Sequence, residues 1–229
     1  MKESQIFINE MRKAQGPGAG HYQTYDLLQF PVVPLDDTFA KDKLETIRYR
    51  PRDFNGKTVV DLGACMGFFS FLALDWGARV VRGIDNNQSW VNLMSRFKVA
   101  HLQKFGKKIK GGIDFVYMDL SHLPMLPKYD VVICHALLHW FVMRDGRSLD
   151  DCMAWLASIC NEKVVFEGCW DASERFHHHP KEEDRKRLLS MLNPVRFVQV
   201  ASRYFRHVRF IGRCKYNSNM RVAVELAHG

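Results

Sequence analysis

Three aspartates in this chain each close a short apolar run: Asp61 in VVDLGACMGFFS, Asp85 in RGIDNN and Asp119 in YMDLSHLP. An ionised carboxylate only accepts hydrogen bonds, and it can take two at once, from a pair of neighbouring hydroxyls or from an amine. Asp61 runs into Gly63, Ala64, Cys65, Met66 and Gly67, a turn small enough for a ligand to touch the backbone and placed to open a helix. Several nucleoside cofactors use such a turn, and purely structural turns mimic it. Asp85, followed by Asn86, can accept from both hydroxyls of a ribose, or can cap the helix that begins near Ser89. Asp119 can accept from an exocyclic adenine amine with Leu120 beside the ring. Three acids after three successive strands of a doubly wound sheet converge on one crevice, because ligands sit outside the carboxyl ends of such strands.

Groups able to move a proton come later in the sequence. His135 ends an apolar run in DVVICHALLHW, with His139 and Trp140 a helical turn further on. A histidine titrating near neutral pH can deprotonate a hydroxyl or an amine, and it can equally shape a pocket by bonding to backbone. Glu167 in VVFEGCWD, with Asp171 in the same loop, can hold a substrate amine or hydroxyl or satisfy buried amides. The HHHP run at 177–180 reads as an exposed loop, since consecutive side chains rarely converge on one metal ion; no metal is expected. In GHYQTYDLLQF (20–30), Tyr22 and Tyr25 can cover a bound cofactor or pack on the domain.

The elements that must position these groups follow from the pattern. Nearly continuous apolar runs TVVDL (58–62), RVVRGI (79–84), DFVYM (114–118), DVVIC (130–134) and KVVFE (163–167) read as strands covered on both faces. Helices are expected at Phe68–Trp76, Ser89–Phe105, Leu149–Cys160 and Lys181–Leu192, and this alternation makes a parallel sheet. HVRFIGR (207–213) and MRVAVEL (220–226) flank the turn formers CKYNSN and read as an antiparallel hairpin at the sheet edge. Residues 1–50, with QGPGAG as a joint, form an N-terminal extension or lid, and residues 51–229 a single doubly wound α/β domain.

The formal charge is +8, and residues 201–229 hold six Lys or Arg against one Glu, so +5 of it sits there. That argues for a local basic patch rather than a whole-surface polyanion binder. Arg203, Arg206, Arg209 and Arg213 would line one face of a helix; on a strand, Arg209 and Arg213 would share a face. Phosphate contact and a solvated edge are both open readings. The six cysteines (Cys65, Cys134, Cys152, Cys160, Cys169, Cys214) form no CxxC pair and read as reduced thiols. Charges throughout the first residues leave no apolar run for a leader or a membrane span, so a cytoplasmic place and no membrane partner are expected.

DLGACMG, GIDNN, MDLSHLP and YDVVICHALLHW together resemble the successive motifs of class I S-adenosylmethionine-dependent methyltransferases over roughly residues 57–167. The resemblance implies a doubly wound, mostly parallel seven-stranded sheet with an antiparallel C-terminal hairpin, and S-adenosyl-L-methionine as cofactor. It implies that Asp61 approaches the methionine amino group, that Gly63, Ala64, Cys65 and Gly67 line the cofactor, that Asp85 with Asn86 binds ribose, and that Asp119 with Leu120 faces adenine; His135 is a further candidate for cofactor contact. Cys65 stands where the family's glycine pattern has its middle glycine. The nicotinamide fingerprint GxGxxG is not met, since the turn reads Gly63, Cys65, Phe68. The acceptor is expected to be a small molecule or a glycan-like metabolite, with His135, His139 and Glu167 the candidate catalytic groups. A basic C-terminus serving RNA or tRNA modification is the alternative, and a catalytically silent binding module is the third reading.

Overall fold

The computed structural model describes residues 39–169 apart from 107 and 144, and residues 193–229 apart from 217 and 218, together with 182, 183 and 186. The tyrosines of 20–30, Asp171, the histidine run and most of the helix expected at Lys181–Leu192 lie outside the described residues. The chain forms two compact units, one running to Leu44 and from Arg50 to Asp119, the other comprising Glu45–Tyr49 and Leu120–Gly229.

The first unit contains most of helix α1 (Phe39–Ile47), then β1 (Thr58–Leu62), α2 (Phe68–Asp75), β2 (Val80–Asp85), α3 (Gln88–Phe105) and β3 (Gly112–Tyr117). β1 and β2 pair in parallel from Thr58↔Val80 to Leu62↔Ile84, and β2 and β3 from Val80↔Gly112 to Asp85↔Tyr117. The β-branched run of β1 suits a strand covered on both faces. In FFSFLALD every residue but the last is buried, so α2 is held by packing rather than by an amphipathic stripe. Phe71 meets Phe97 of α3 at 4.7 Å and Phe115 of β3 at 5.3 Å between ring centroids.

The second unit contains β4 (Tyr129–His135), α4 (Leu138–Met143), α5 (Leu149–Ser158), β5 (Cys160–Cys169), α6 (Pro194–Ala201), β6 (His207–Tyr216) and β7 (Asn219–Ala227). Ser148 and Asp151 form a capping box at the start of α5, and Asn193 with Pro194 opens α6, as expected for residues that satisfy or lack the orphan N–H groups there. Phe197 of α6 stacks on Phe166 of β5 at 5.1 Å. β4 and β5 run parallel, while β7 is antiparallel to β5 and forms the hairpin with β6.

The sheet has seven strands in the order β3-β2-β1-β4-β5-β7-β6, mostly parallel with one antiparallel hairpin, as the sequence implies. Each strand anticipated is present, and the differences lie at the ends: β5 starts three residues earlier than KVVFE and ends two later. Helices α1, α4 and α6 carried no signal strong enough to be anticipated. Among the described residues no helix is long and apolar enough to cross a membrane. Cys65, Cys134, Cys152 and Cys160 are buried free thiols; burial pushes the Cys152 and Cys160 thiols up to about 12.

The arginine series needs correction. α6 ends at Ala201, so no helix lines up the four residues. Along β6 the register slips between Phe210 and Gly212, so Arg209 pairs with Glu225 and Arg213 with Val222. Glu225 and Val222 are three apart on a strand in regular register with β5, and therefore face opposite ways. The bulge puts Arg209 and Arg213 on opposite faces, not one.

Candidate functional site

In the first unit the parallel register brings the carboxyl ends of β1, β2 and β3 together. Between β1 and α2 the chain turns through three left-handed residues, Gly63 (φ 68°), Cys65 (φ 52°) and Gly67 (φ 77°). Gly63 and Ala64 donate their N–H groups to the Ile84 carbonyl at 2.8 and 2.9 Å, which ties the turn to β2. At Gly67 a Cβ would meet the Met94 sulfur at 3.0 Å and the Phe115 and Phe71 rings at 3.2 Å. The glycine thus serves both the backbone reversal and the close seating of the helix on the sheet.

Asp85 ends β2 and is buried. Its Oδ2 accepts from the Cys65 N–H and its Oδ1 from the Asn87 N–H, both at 2.8 Å. Capping of α3 falls to Asn87, whose side chain accepts from Ser89 and Trp90 N–H at 3.0 and 3.3 Å. Of the two roles open to Asp85, helix capping is therefore taken by another residue. Burial raises its carboxyl above the usual range, while the backbone N–H groups of Cys65, Asn87 and Asn86 pull it down. Asp119 lies two residues past Tyr117, the partner of Asp85, and is exposed, whereas Leu120 is buried. The Met118 N–H donates to the Asp85 carbonyl at 3.0 Å, so the chain leaving β3 stays beside Asp85.

Asp61 is buried within β1 and accepts a 2.6 Å hydrogen bond from the Ser70 hydroxyl. Its carboxyl is pushed up to about 6, first by burial and then by the charge of Asp85; Ser70 and the Lys43 ammonium act the other way. Burial and Asp85 also push the Cys65 thiol well up, so at neutral pH it is a neutral thiol rather than a nucleophile.

Sequence reasoning did not find Ser70 and Lys43. Ser70 is the single polar residue before the end of FFSFLALD, a signal readable as a partner for a buried acid. Lys43 is 3% exposed and its Nζ lies 5.7 Å from the Phe69 ring centroid. It precedes by four the buried Ile47, so a lysine stands at a core position of α1.

In the second unit a polar group of another kind lies at the carboxyl ends of β4 and β5. His135 pairs with Glu167, Glu167 with Ala223, and Arg221 lies two residues from Ala223 on β7. By strand alternation His135, Glu167 and Arg221 project from one face of the sheet. Glu167 is 0% and Arg221 1% exposed, with Nη1 to Oε1 at 3.4 Å. The Ala136 N–H donates to the Glu167 carbonyl at 2.7 Å. Tyr49, from the segment before the first strand, places its hydroxyl 3.1 Å from His135 Nε2. In the same segment Thr46 covers Gly212 of β6, where a Cβ would meet its Cγ2 at 2.9 Å and its carbonyl oxygen at 3.0 Å. His139 is buried on α4 with its ring 5.3 Å from that of Trp140. Tyr49 and Arg221 were not singled out from sequence, because neither neighbours a motif.

Residues 60–158 match the family model described as a methyltransferase domain. Among solved structures the chain is similar to the bifunctional kinase-methyltransferase WbdD, at TM-score 0.65 and 17% identity over 98% of this chain and 46% of that one. This chain therefore spans less than half the length of that protein. It is similar to a putative S-adenosylmethionine-dependent methyltransferase from Listeria monocytogenes, at TM-score 0.59 and 15% identity over 82% of this chain and 98% of that one. A third similar structure is the magnesium protoporphyrin IX methyltransferase ChlM from Synechocystis PCC 6803 with bound SAH, at TM-score 0.59 and 14% identity over 99% and 95%. The strand order and these likenesses show that the chain has the fold of those methyltransferase structures, with residues 60–158 similar to a methyltransferase domain.

Proposed function

We propose that the chain transfers the methyl group of S-adenosylmethionine to a small-molecule or glycan-like acceptor. The reading is carried by one observation: Asp85 is held by the Cys65 and Asn87 N–H groups at the glycine turn while a different residue caps α3. A carboxylate oxygen that already accepts one N–H keeps a further lone pair, so Asp85 can take the ribose hydroxyls. Asn86 lies at its side; Gly63, Ala64, Cys65 and Gly67 line the cofactor; Asp61 takes the methionine ammonium; Asp119 and Leu120 take adenine. The bound cofactor supplies an electrophilic methyl on a sulfonium.

The chain's own residues then hold the acceptor and take its proton. His135 is the proposed proton acceptor, its ring held by Tyr49. Glu167 is proposed to balance the Arg221 guanidinium, and His139 to wall the site. Arg221 and Glu167 cancel in charge, which suits a neutral hydroxyl acceptor that must lose a proton as the methyl arrives. Among proteins of this fold, ChlM is named for a porphyrin acceptor, a small molecule.

RNA is the less favoured acceptor, since Arg203 and Arg209 are already engaged by Asp150 and Glu225 at 3.0 and 2.8 Å. Calorimetry tests the cofactor half. The wild-type chain should bind S-adenosylmethionine, and Asp85→Ala should weaken it by about 1–3 kcal/mol. Unchanged affinity in that variant would remove the assignment.

A further inference from the structure

Two of the left-handed residues other than glycine flank one hydrogen-bonded pair in the second unit: Arg48 (φ 58°) precedes Tyr49, and Ala136 (φ 54°) follows His135. Such backbone is costly for a residue with a Cβ and persists only where the surrounding structure imposes it. Arg48 comes just past the end of α1, a place usually taken by glycine. Both turns are fastened to the sheet, through the Thr46 hydroxyl on the Arg213 carbonyl and the Ala136 N–H on the Glu167 carbonyl. What they fix together is the Tyr49 hydroxyl, 3.1 Å from His135 Nε2.

The direction of that hydrogen bond follows from acidity. A phenol, with a pKa of about 10, is a far stronger acid than a neutral imidazole N–H. An imidazole nitrogen is a far stronger base than a phenol oxygen. Tyr49 therefore donates its O–H to Nε2, and the neutral His135 ring carries its own hydrogen on Nδ1. The phenol hydrogen already lies along the Nε2 lone pair, so a proton bound for that nitrogen comes through Tyr49. A phenol oxygen that donates its hydrogen can still accept one from a substrate hydroxyl. Glu167 and Arg221 are 0% and 1% exposed, whereas Tyr49 and His135 keep 6% and 8%; the residual access in this group lies at the pair.

We infer that Tyr49 and His135 form a proton relay in which the Tyr49 phenol, rather than the imidazole, meets the acceptor hydroxyl. This rests on the proposed methyl transfer to a hydroxyl. As the acceptor oxygen bonds to the methyl carbon, the carbon–sulfur bond breaks and its electron pair stays with sulfur. The acceptor's proton passes to the Tyr49 oxygen while the phenol's own proton passes to His135 Nε2. The imidazolium then returns its proton to water, and Tyr49 ends the cycle as a phenol.

The first test needs no acceptor. Nitrogen NMR of the ligand-free full chain at pH 8, with the signals assigned through His135→Gln, should show the neutral His135 ring with its hydrogen on Nδ1. Tyr49→Phe should shift that ring toward the Nε2–H form. A wild-type ring with its hydrogen on Nε2 overturns the inference, as does a tautomer that ignores the substitution. The second test follows transfer from methyl-labelled S-adenosylmethionine into a cell extract. Tyr49→Phe, which keeps the ring, should lose at least about a hundredfold in kcat, with the KM for S-adenosylmethionine within about threefold. Combined with His135→Gln it should be no worse than the poorer single variant.

A smaller loss in Tyr49→Phe, or losses that multiply in the double variant, overturns the relay and leaves the proposed function standing. If Tyr49→Phe does not fold, as judged by thermal melting, the wild-type tautomer decides. Wild type that labels no component of the extract overturns the proposed function, and this inference with it.

Discussion

A carboxyl whose folded value is raised weakens the folded state when ionised. Asp61 stands at about 6 against an ordinary 3.8, so between those values the folded chain binds more protons than the unfolded one. Stability contributed by the neutral form is therefore present at low pH and lost as pH rises through 6, by about 3 kcal/mol for a shift of this size. The groups acting on it are Ser70, Asp85 and Lys43. Asp61→Asn keeps an acceptor for the Ser70 hydroxyl and has nothing to titrate. The ligand-free variant should be more stable than wild type by about 3 kcal/mol at pH 7 and by only about 1 kcal/mol at pH 4.5, measured by urea unfolding at both. Cofactor affinity should rise in wild type between pH 5 and 7 as Asp61 ionises, and the variant should bind weakly and without that slope. Equal unfolding curves at pH 7 would show that Asp61 carries no such burden. At this scale the sequence was informative where chemistry sits in a motif: Asp61, Asp85 and the glycines could be named from their strand-to-helix context. Lys43, Tyr49 and Arg221 could not, because each reaches its partner through tertiary packing, and Ser70 left only the polar break in FFSFLALD.

Strands were legible because a run such as VVIC, buried on both faces, has few other uses. The short helices α1, α4 and α6 were not, since six to nine residues hold too few turns to show a period. The slip in β6 was equally hidden: HVRFIGR alternates acceptably as a regular strand, and the extra residue appears only against β7. Gly212 follows that slip and lies under Thr46. Gly212→Val should cost about 1–3 kcal/mol of stability, through overpacking against a neighbouring backbone carbonyl that cannot step aside. Equilibrium unfolding measures this, and a cost below about 0.5 kcal/mol would mean that the segment bearing Thr46 yields freely.

For the molecule as a whole, composition pointed to a basic patch in the last 29 residues, and the arrangement of those charges weakens it. Arg203 and Arg209 are in ion pairs, Arg221 is buried against Glu167, and Arg213 faces away from Arg209. Few cations are left to release counterions together. Binding to bulk tRNA, followed by fluorescence anisotropy between 50 and 200 mM salt, should be weak and shallow, with a log–log slope of about two or less. A steep slope with retention at the upper salt would restore an RNA acceptor. The charge total was readable from sequence; its division between two faces was not, because one bulge decides it.

The segment Glu45–Tyr49 belongs with strands that come far later in the chain: the Thr46 hydroxyl donates to the Arg213 carbonyl across 167 positions. Contacts of such separation close slowly. During translation Tyr49 therefore leaves the ribosome long before the hairpin that completes its surroundings, and His135 acquires its finished neighbourhood only after β6 and β7 have been made.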